Sequence, residues 1–289
     1  MKLLEKVKPL IDPQKFHHTF ETLLPDFHIF HTNKTGGDVI QIEKSGFSVV
    51  LQGSKEVQIG EYHYQYRAGD FACYAVDMPI LAHYQATPEQ PYIDLRFYLP
   101  PEQLQQLTET LLSQDYAFPD FSGKKPLSQL SPTLEDALCR LIDLHNSPND
   151  ILILYPLLQQ EIIYRLLCSE QGGLLRKIAT QGSNAQRIVS AVEWLNQHYN
   201  QPFNVEELSA SIGMSSSGFY AYFRRLTGMS PLQYQKNLRL AQAHRLLKTG
   251  TKTISEIAYQ VGYDSLPQFS REYKRMFGKT ARESLKPDE

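Results

Sequence analysis

Cysteine is scarce in this chain of 289 residues. Cys73, Cys139 and Cys168 are odd in number and far apart, which argues against a disulfide framework and a cysteine-based metal knuckle and fits a reducing compartment. Long apolar runs are missing as well. The longest, 151–158, falls far short of the roughly 20 residues that cross a bilayer. The opening stretch Met1-Lys2-Leu3-Leu4-Glu5-Lys6 mixes charges and lacks the apolar core of a signal peptide, so the expected location is the cytoplasm. No P-loop, G-x-S-x-G elbow or Cys/His nucleophile pattern occurs. A metal site would need clustered His and Glu ligands. His63 is followed by Tyr64-Gln65, so an H-x-H pair is missing; His28 with His31, near His17-His18, is the best substitute. The expectation is a protein with no metal, no cofactor and no enzymatic activity.

Negative charge is depleted in one half. The whole chain carries a net charge of −2. Residues 184–289 hold 14 Lys+Arg against 9 Asp+Glu, whereas residues 1–183 hold 15 against 22. A basic module joined to an acidic one suits a chain of which only the C-terminal part meets phosphate.

What is present reads as two domains, 1–170 and 185–289, with a linker over 171–184 between Gly172-Gly173 and Gly182-Ser183-Asn184. From about 36 to 99, turn signals recur at short intervals: Gly36-Gly37, Gly53-Ser54, Gly60, Gly69-Asp70, Pro79 and Pro88. The runs between them are rich in Val, Ile, Tyr and Phe, which predicts short strands in a small barrel or sandwich. Tyr62, Tyr64 and Tyr66 share one strand face and are the candidate wall of a ligand pocket. A helix is predicted over 101–113, a loop over 114–130 and two further helices over 131–170. Leu134, Leu138, Leu141 and Ile142 stripe the first of those two. Pro156 takes an early position in the second, which Gly172-Gly173 ends. Their apolar stripes are the candidate interface of a homodimer.

From Ala185 on, everything reads as helix, and one pattern occurs twice. The first copy, about 205–227, runs from Val205 through Leu208, Ile212 and Gly213 to Phe219, Phe223 and the basic pair Arg224-Arg225. The second, about 254–277, runs from Ile254 through Ile257, Val261 and Gly262 to Phe269, Tyr273 and Lys274-Arg275. Each is a short helix, a glycine turn and a second helix, the helix-turn-helix plan in which the second helix enters the DNA major groove. Gly213 to Phe219 is six positions and Gly262 to Phe269 is seven, so the second turn carries one extra residue. Asn204 with Glu207, and Thr253 with Glu256, predict capping boxes, and Ser230-Pro231 with Gln233 opens a connecting helix to about Lys248. Such a rod, roughly 27 Å long, holds two reading helices near the ~34 Å repeat of the major groove. Base contacts are expected from Ser216, Ser217 and Tyr220 in the first unit and from Pro267, Gln268 and Arg271 in the second. Arg224, Arg225, Lys274 and Arg275 are the expected phosphate contacts.

Residues 185–285 resemble the AraC/XylS family of bacterial transcription regulators. The second unit carries the resemblance best, through Ile254, Ile257, Ala258, Gly262, Tyr263, Phe269, Ser270, Arg271, Tyr273, Lys274, Arg275, Phe277 and Gly278. Ser215, Phe223, Gly228, Ser230, Pro231, Tyr234, Arg239, Ala243 and Leu246-Leu247 match in and after the first. The chain departs from the family at Ala281, where Pro is usual, at Ser284-Leu285, and at Ser216-Ser217-Gly218, where larger donors are usual. Leu51-Gln52-Gly53-Ser54-Lys55, Gly60, Tyr66 with Gly69, Val76-Asp77-Met78-Pro79 and Pro91-Tyr92 look like the cupin-type sensory domain of one branch of that family. The resemblance implies an α+β protein: an N-terminal cupin-like β-barrel with flanking helices, then an all-α domain of two helix-turn-helix units joined by a long helix. It implies a sequence-specific, effector-responsive activator, dimeric, with double-stranded DNA, an unknown small molecule and RNA polymerase as partners. A metal-dependent cupin enzyme or ligand-binding protein with an accessory DNA-binding domain is the alternative.

Overall fold

The computed structural model describes residues 1–12, 14–15, 17–35, 39–119 and 127–285; the Gly36-Gly37 turn and 120–126 of the expected loop lie outside the described residues. A short helix, α1 (Lys2–Val7), precedes strands β1 (His18–Glu21), β2 (Phe27–Thr32), β3 (Val39–Glu43), β4 (Gly46–Gln52) and β5 (Ser54–Ile59). Then come β6 (Tyr62–Arg67), β7 (Asp70–Tyr74), β8 (Met78–Gln85) and β9 (Tyr92–Tyr98). Helix α2 (Pro101–Ser113), strand β10 (Ser128–Gln129) and helices α3 (Pro132–Asp143), α4 (Ile151–Leu167) and α5 (Gly172–Ala179) complete the N-terminal part. The C-terminal part is α6 (Asn184–Gln197), α7 (Val205–Ser211), α8 (Ser216–Thr227), α9 (Pro231–Thr249), α10 (Ile254–Gln260) and α11 (Leu266–Phe277).

The strands pair antiparallel in two sheets. One is six-stranded in the order β1-β2-β9-β4-β7-β10, the other four-stranded in the order β3-β8-β5-β6. Alternation sorts the large sheet's side chains. Phe27, Ile29, Phe47, Val49, Ile93, Leu95 and Phe97 bury one face under α1 to α5, while Phe30, Val50 and Tyr92 face the small sheet. Rings and paired charges line the space between the sheets. Asp94 accepts from Arg96 Nε at 2.9 Å, from the Tyr92 hydroxyl at 2.8 Å and from Lys55 Nζ at 3.3 Å. Arg96 also lies 3.5 Å from Glu43, and all four charged side chains are buried. Lys55 Nζ sits 5.1 Å from the centre of the Tyr66 ring. Charges taken out of water persist only with such partners.

Four expectations change. Strands β1, β2 and β10 lie outside the 36–99 region read as strands. Pro79, read as a turn, is the second residue of β8, near the strand start where a missing N–H is tolerated. Pro156 is not in the first turn of its helix but the sixth residue of α4, which starts after a 3-10 turn at Pro148–Asp150. It is exposed, so the carbonyl of Leu152 that loses its helical partner meets water. The expected linker contains α5, whose Leu175 and Ala179 are buried in the N-terminal core; α4 ends at Leu167, and Gly172-Gly173 begin a helix instead of ending one.

Ile188, Val192 and Leu195, at helical spacing, form the buried face of α6. The C-terminal part packs directly on the small sheet. Ile40 of β3 joins Leu240 and Ala241 of α9, and the Tyr234 hydroxyl donates to the Asp77 carbonyl.

Candidate nucleic-acid interface

Local chemistry fixes the two units. Asn204 Oδ1 accepts from the amides of Glu206 and Glu207 at 2.7 and 3.3 Å and so caps α7. The cap is one-sided, whereas Thr253 and Glu256 form the complete reciprocal box at the start of α10. Ser230 caps α9 by accepting from the Gln233 amide at 3.2 Å, with Pro231 in the first turn. The turns occupy 212–215 and 261–265, so the second is one residue longer, as the spacing required. Gly213 and Gly262 both have positive φ, +68° and +91°. At Gly262 a side chain would also collide with the Asn200 backbone. Arg239 of α9 ties the units together. Its guanidinium donates to the carbonyls of Tyr199 and Gly262, each at 2.7 Å, and of Gln201 at 3.1 Å. The sequence signal for this role is a lone arginine between Leu238 and Leu240, which by itself names no partner.

In α11 the split between faces is clean. Phe269, Tyr273 and Phe277 are buried; Pro267, Gln268, Arg271, Lys274 and Arg275 are exposed. Arg271 makes no ion pair among the described residues. Its neighbour Glu272 does the structural work, accepting from the Tyr263 hydroxyl at 2.8 Å, from Lys236 at 3.0 Å and from Gln268 at 3.3 Å. Burial pushes the Glu272 carboxyl up, but those donors outweigh it and hold it below the ordinary glutamate value. Gln268 is therefore tethered to its own helix, and Arg271 is untethered.

In α8, Ser217, Tyr220 and Arg224 lie along one exposed stripe, with Phe219 and Phe223 buried opposite. Ser216 is half-buried, its hydroxyl 3.2 Å from Ser209 of α7. It joins the two helices and does not share that stripe. Arg224 meets Glu61, in the β5–β6 turn, at 3.2 Å. Arg225 is exposed and makes no ion pair among the described residues.

The three tyrosines proposed as a pocket wall come together. Tyr62, Tyr64 and Tyr66 line a cavity of about 930 Å³ together with β7, α5, the start of α6 and the end of α8. Tyr66 is buried and its hydroxyl lies 2.9 Å from that of Tyr74. Lys177, Arg224 and Arg225 also line the cavity, brought there by the tertiary fold; Arg224 and Arg225 were expected only as phosphate contacts, and nothing local in the sequence points to Lys177. His28 and His31 alternate along β2 onto opposite faces of the sheet and do not converge; no group of three potential ligands gathers among the described residues.

Comparison with known proteins bears on this arrangement. A family model described as AraC-type transcriptional regulator N-terminus matches residues 23–174, and one described as helix-turn-helix domain matches residues 208–286. The lactose operon transcription activator of Staphylococcus xylosus is 30% identical over 139 residues, 48% of this chain and 48% of that one. The thermoregulatory protein LcrF of Yersinia pestis is 28% identical over 167 residues, 56% of this chain and 60% of that one. The matched region thus spans about half the length of these relatives. A structure of ToxT from Vibrio cholerae covers 90% of this chain and 97% of its own with a TM-score of 0.53 at 11% identity, a likeness of fold. Since the N-terminal model alone takes in more than half of its residues, the chain belongs to the AraC-type transcriptional regulators.

Proposed function

We propose that the chain is a sequence-specific regulator that grips double-stranded DNA with both helix-turn-helix units, responds to a small molecule held by its N-terminal part, and activates nearby promoters. The observation that carries this is the pair of units on one rod: α8 and α11 are each capped, each buried on one face, and held at opposite ends of the 19-residue α9. A duplicated reader on a rigid spacer has no use in a lone ligand-binding domain. In this reading Arg271 is the leading base contact, with Ser217 and Tyr220 reading from α8 and Pro267 packing beside Arg271. Lys274, Arg275, Arg224 and Arg225 hold phosphate, Arg224 after leaving Glu61. The protein acts as a homodimer through α4, recruits RNA polymerase, and works in the cytoplasm; no single described helix is long and apolar enough to cross a membrane.

Selection of bound sequences from random DNA tests the reading. The expected result is a motif in two blocks, bound at least ~10³-fold more tightly than non-specific DNA. Binding that competitor DNA of any sequence abolishes equally would overturn it.

A further inference from the structure

The segment expected to be a linker is built as a rigid corner beside the first reading helix. Ser183 joins its two helices: the hydroxyl donates to the Lys177 carbonyl of α5 at 2.6 Å and accepts from the Gln186 amide of α6 at 3.0 Å. The Gln186 carboxamide in turn accepts from the Gly182 amide at 2.8 Å. Each helix of this corner sets a cation at one end of α8. Lys177 of α5 lies on the wall that Arg224 and Arg225 share at the C-terminal end of α8. Arg187 of α6 reaches the turn before α8, where its Nη1 donates to the Gly213 carbonyl at 2.6 Å. That bond uses one of the five donors of a guanidinium. Neither Lys177 nor Arg187 makes an ion pair among the described residues. Arg176, next to Lys177, is spent in contrast: it donates to the Leu167 carbonyl and lies 4.2 Å from the centre of the Phe118 ring. Glu170 is the carboxylate on the wall and Glu61 is held by Arg224, so cations outnumber carboxylates beside α8.

A DNA duplex supplies the matching charge. A reading helix meets base edges with its N-terminal residues, in a groove about 12 Å wide bordered by two rows of phosphates. Helix α8 has 12 residues and is roughly 18 Å long, longer than that width. With Ser217 and Tyr220 at the bases, its ends stand near the bordering phosphates. We propose that α5 and α6 form a third DNA-contacting element, in which Arg187 holds a backbone phosphate at the leading end of α8 and Lys177 holds one beside Arg225 at the trailing end. The proposal rests on the reading of α8 as a base-reading helix. Such contacts carry no sequence information; they fix how α8 sits in the groove. They also give the N-terminal part a direct grip on DNA, because α5 is packed into the N-terminal core through Leu175 and Ala179.

The test is the salt dependence of binding by the full chain, measured from about 50 to 200 mM salt on a selected site and on a duplex of random sequence. Lys177→Gln and Arg187→Gln should each weaken binding to both duplexes alike. Each should lower the slope of log affinity against log salt by about 0.9, and the double variant by about 1.8. Arg187→Lys keeps the charge and should keep the slope. Lys2→Gln should keep it too, since it removes the same charge from α1, where the neighbouring Leu3 amide is bonded to Glu135 of α3. An unchanged slope in either Gln variant would overturn the proposal; weaker binding by Arg187→Gln at an unchanged slope makes Arg187 a brace for the Gly213 turn alone. Salt-dependent binding that needs both cations but prefers no sequence would remove the proposed function and leave this contact standing. Sequence-specific binding whose slope ignores both would do the reverse.

Discussion

A single arginine carries most of the expected sequence discrimination. Arg271 projects from α11 with no ion-pair partner among the described residues, because Glu272 has taken Tyr263, Lys236 and Gln268. Arg271→Ala is therefore expected to leave the melting temperature unchanged and to cost about 1–3 kcal/mol of preference at one or two operator positions. Binding assays across single-base operator variants check this; an equal loss on every sequence would make Arg271 a phosphate contact. The two turn glycines separate strain from collision. Both need positive φ, but Gly213 has space around it whereas Gly262 lies against the Asn200 backbone. Gly213→Ala should cost on the order of 1 kcal/mol, and Gly262→Ala clearly more, through added displacement of the chain at Asn200. Denaturant titration of the two variants ranks them, and equal losses would contradict the collision.

At the scale of elements, helix α4 buries its second half and exposes apolar residues along its first. Ile162, Ile163, Leu166 and Leu167 are buried, yet Leu152, Ile153 and Leu157 are 82%, 66% and 59% exposed. A patch of this kind marks an interaction surface. Substituting Leu152→Glu together with Leu157→Glu should convert a dimer to a folded monomer in sedimentation; a dimer that survives both charges places the interface elsewhere. The same helix shows what was legible beforehand. Periodicity found α2, α3 and the buried side of α4, and Thr253 with Glu256 announced the start of α10, because these signals are local. Strand β2 escaped because it is buried on both faces, so its residues do not alternate in polarity. Helix α5 escaped because its glycines look like punctuation, and only the close approach of Leu167 explains Gly172. The tyrosine wall was legible from its spacing of two, but Lys177 and Arg225 join it from more than a hundred residues away, and no local signal places them there.

The two sheets of the N-terminal part are fastened to each other by buried charge. Burial pushes the Asp94 carboxyl up, but Arg96 and Lys55 overcome that and hold it below the ordinary aspartate value. A depressed carboxyl stabilises the fold above its unfolded pKa, ~3.9, and loses that contribution as pH falls through the folded value. The urea midpoint should thus drop as pH falls below about 4, and less steeply in Asp94→Asn, which itself should cost about 3–5 kcal/mol at neutral pH by stranding Lys55 and Arg96. Identical pH slopes in both proteins would exclude Asp94 as the cause. The connecting helix sets a different kind of limit. Because Arg239 bolts α9 to carbonyls on both sides, α8 and α11 cannot swivel independently, and under the proposed function the pair would gauge DNA phase. Inserting about five base pairs between the two blocks turns one of them to the far side of the duplex and should abolish joint engagement. Inserting about ten restores the facing but opens a gap that a rod of ~28 Å cannot stretch across, so binding should fall to that of one unit alone.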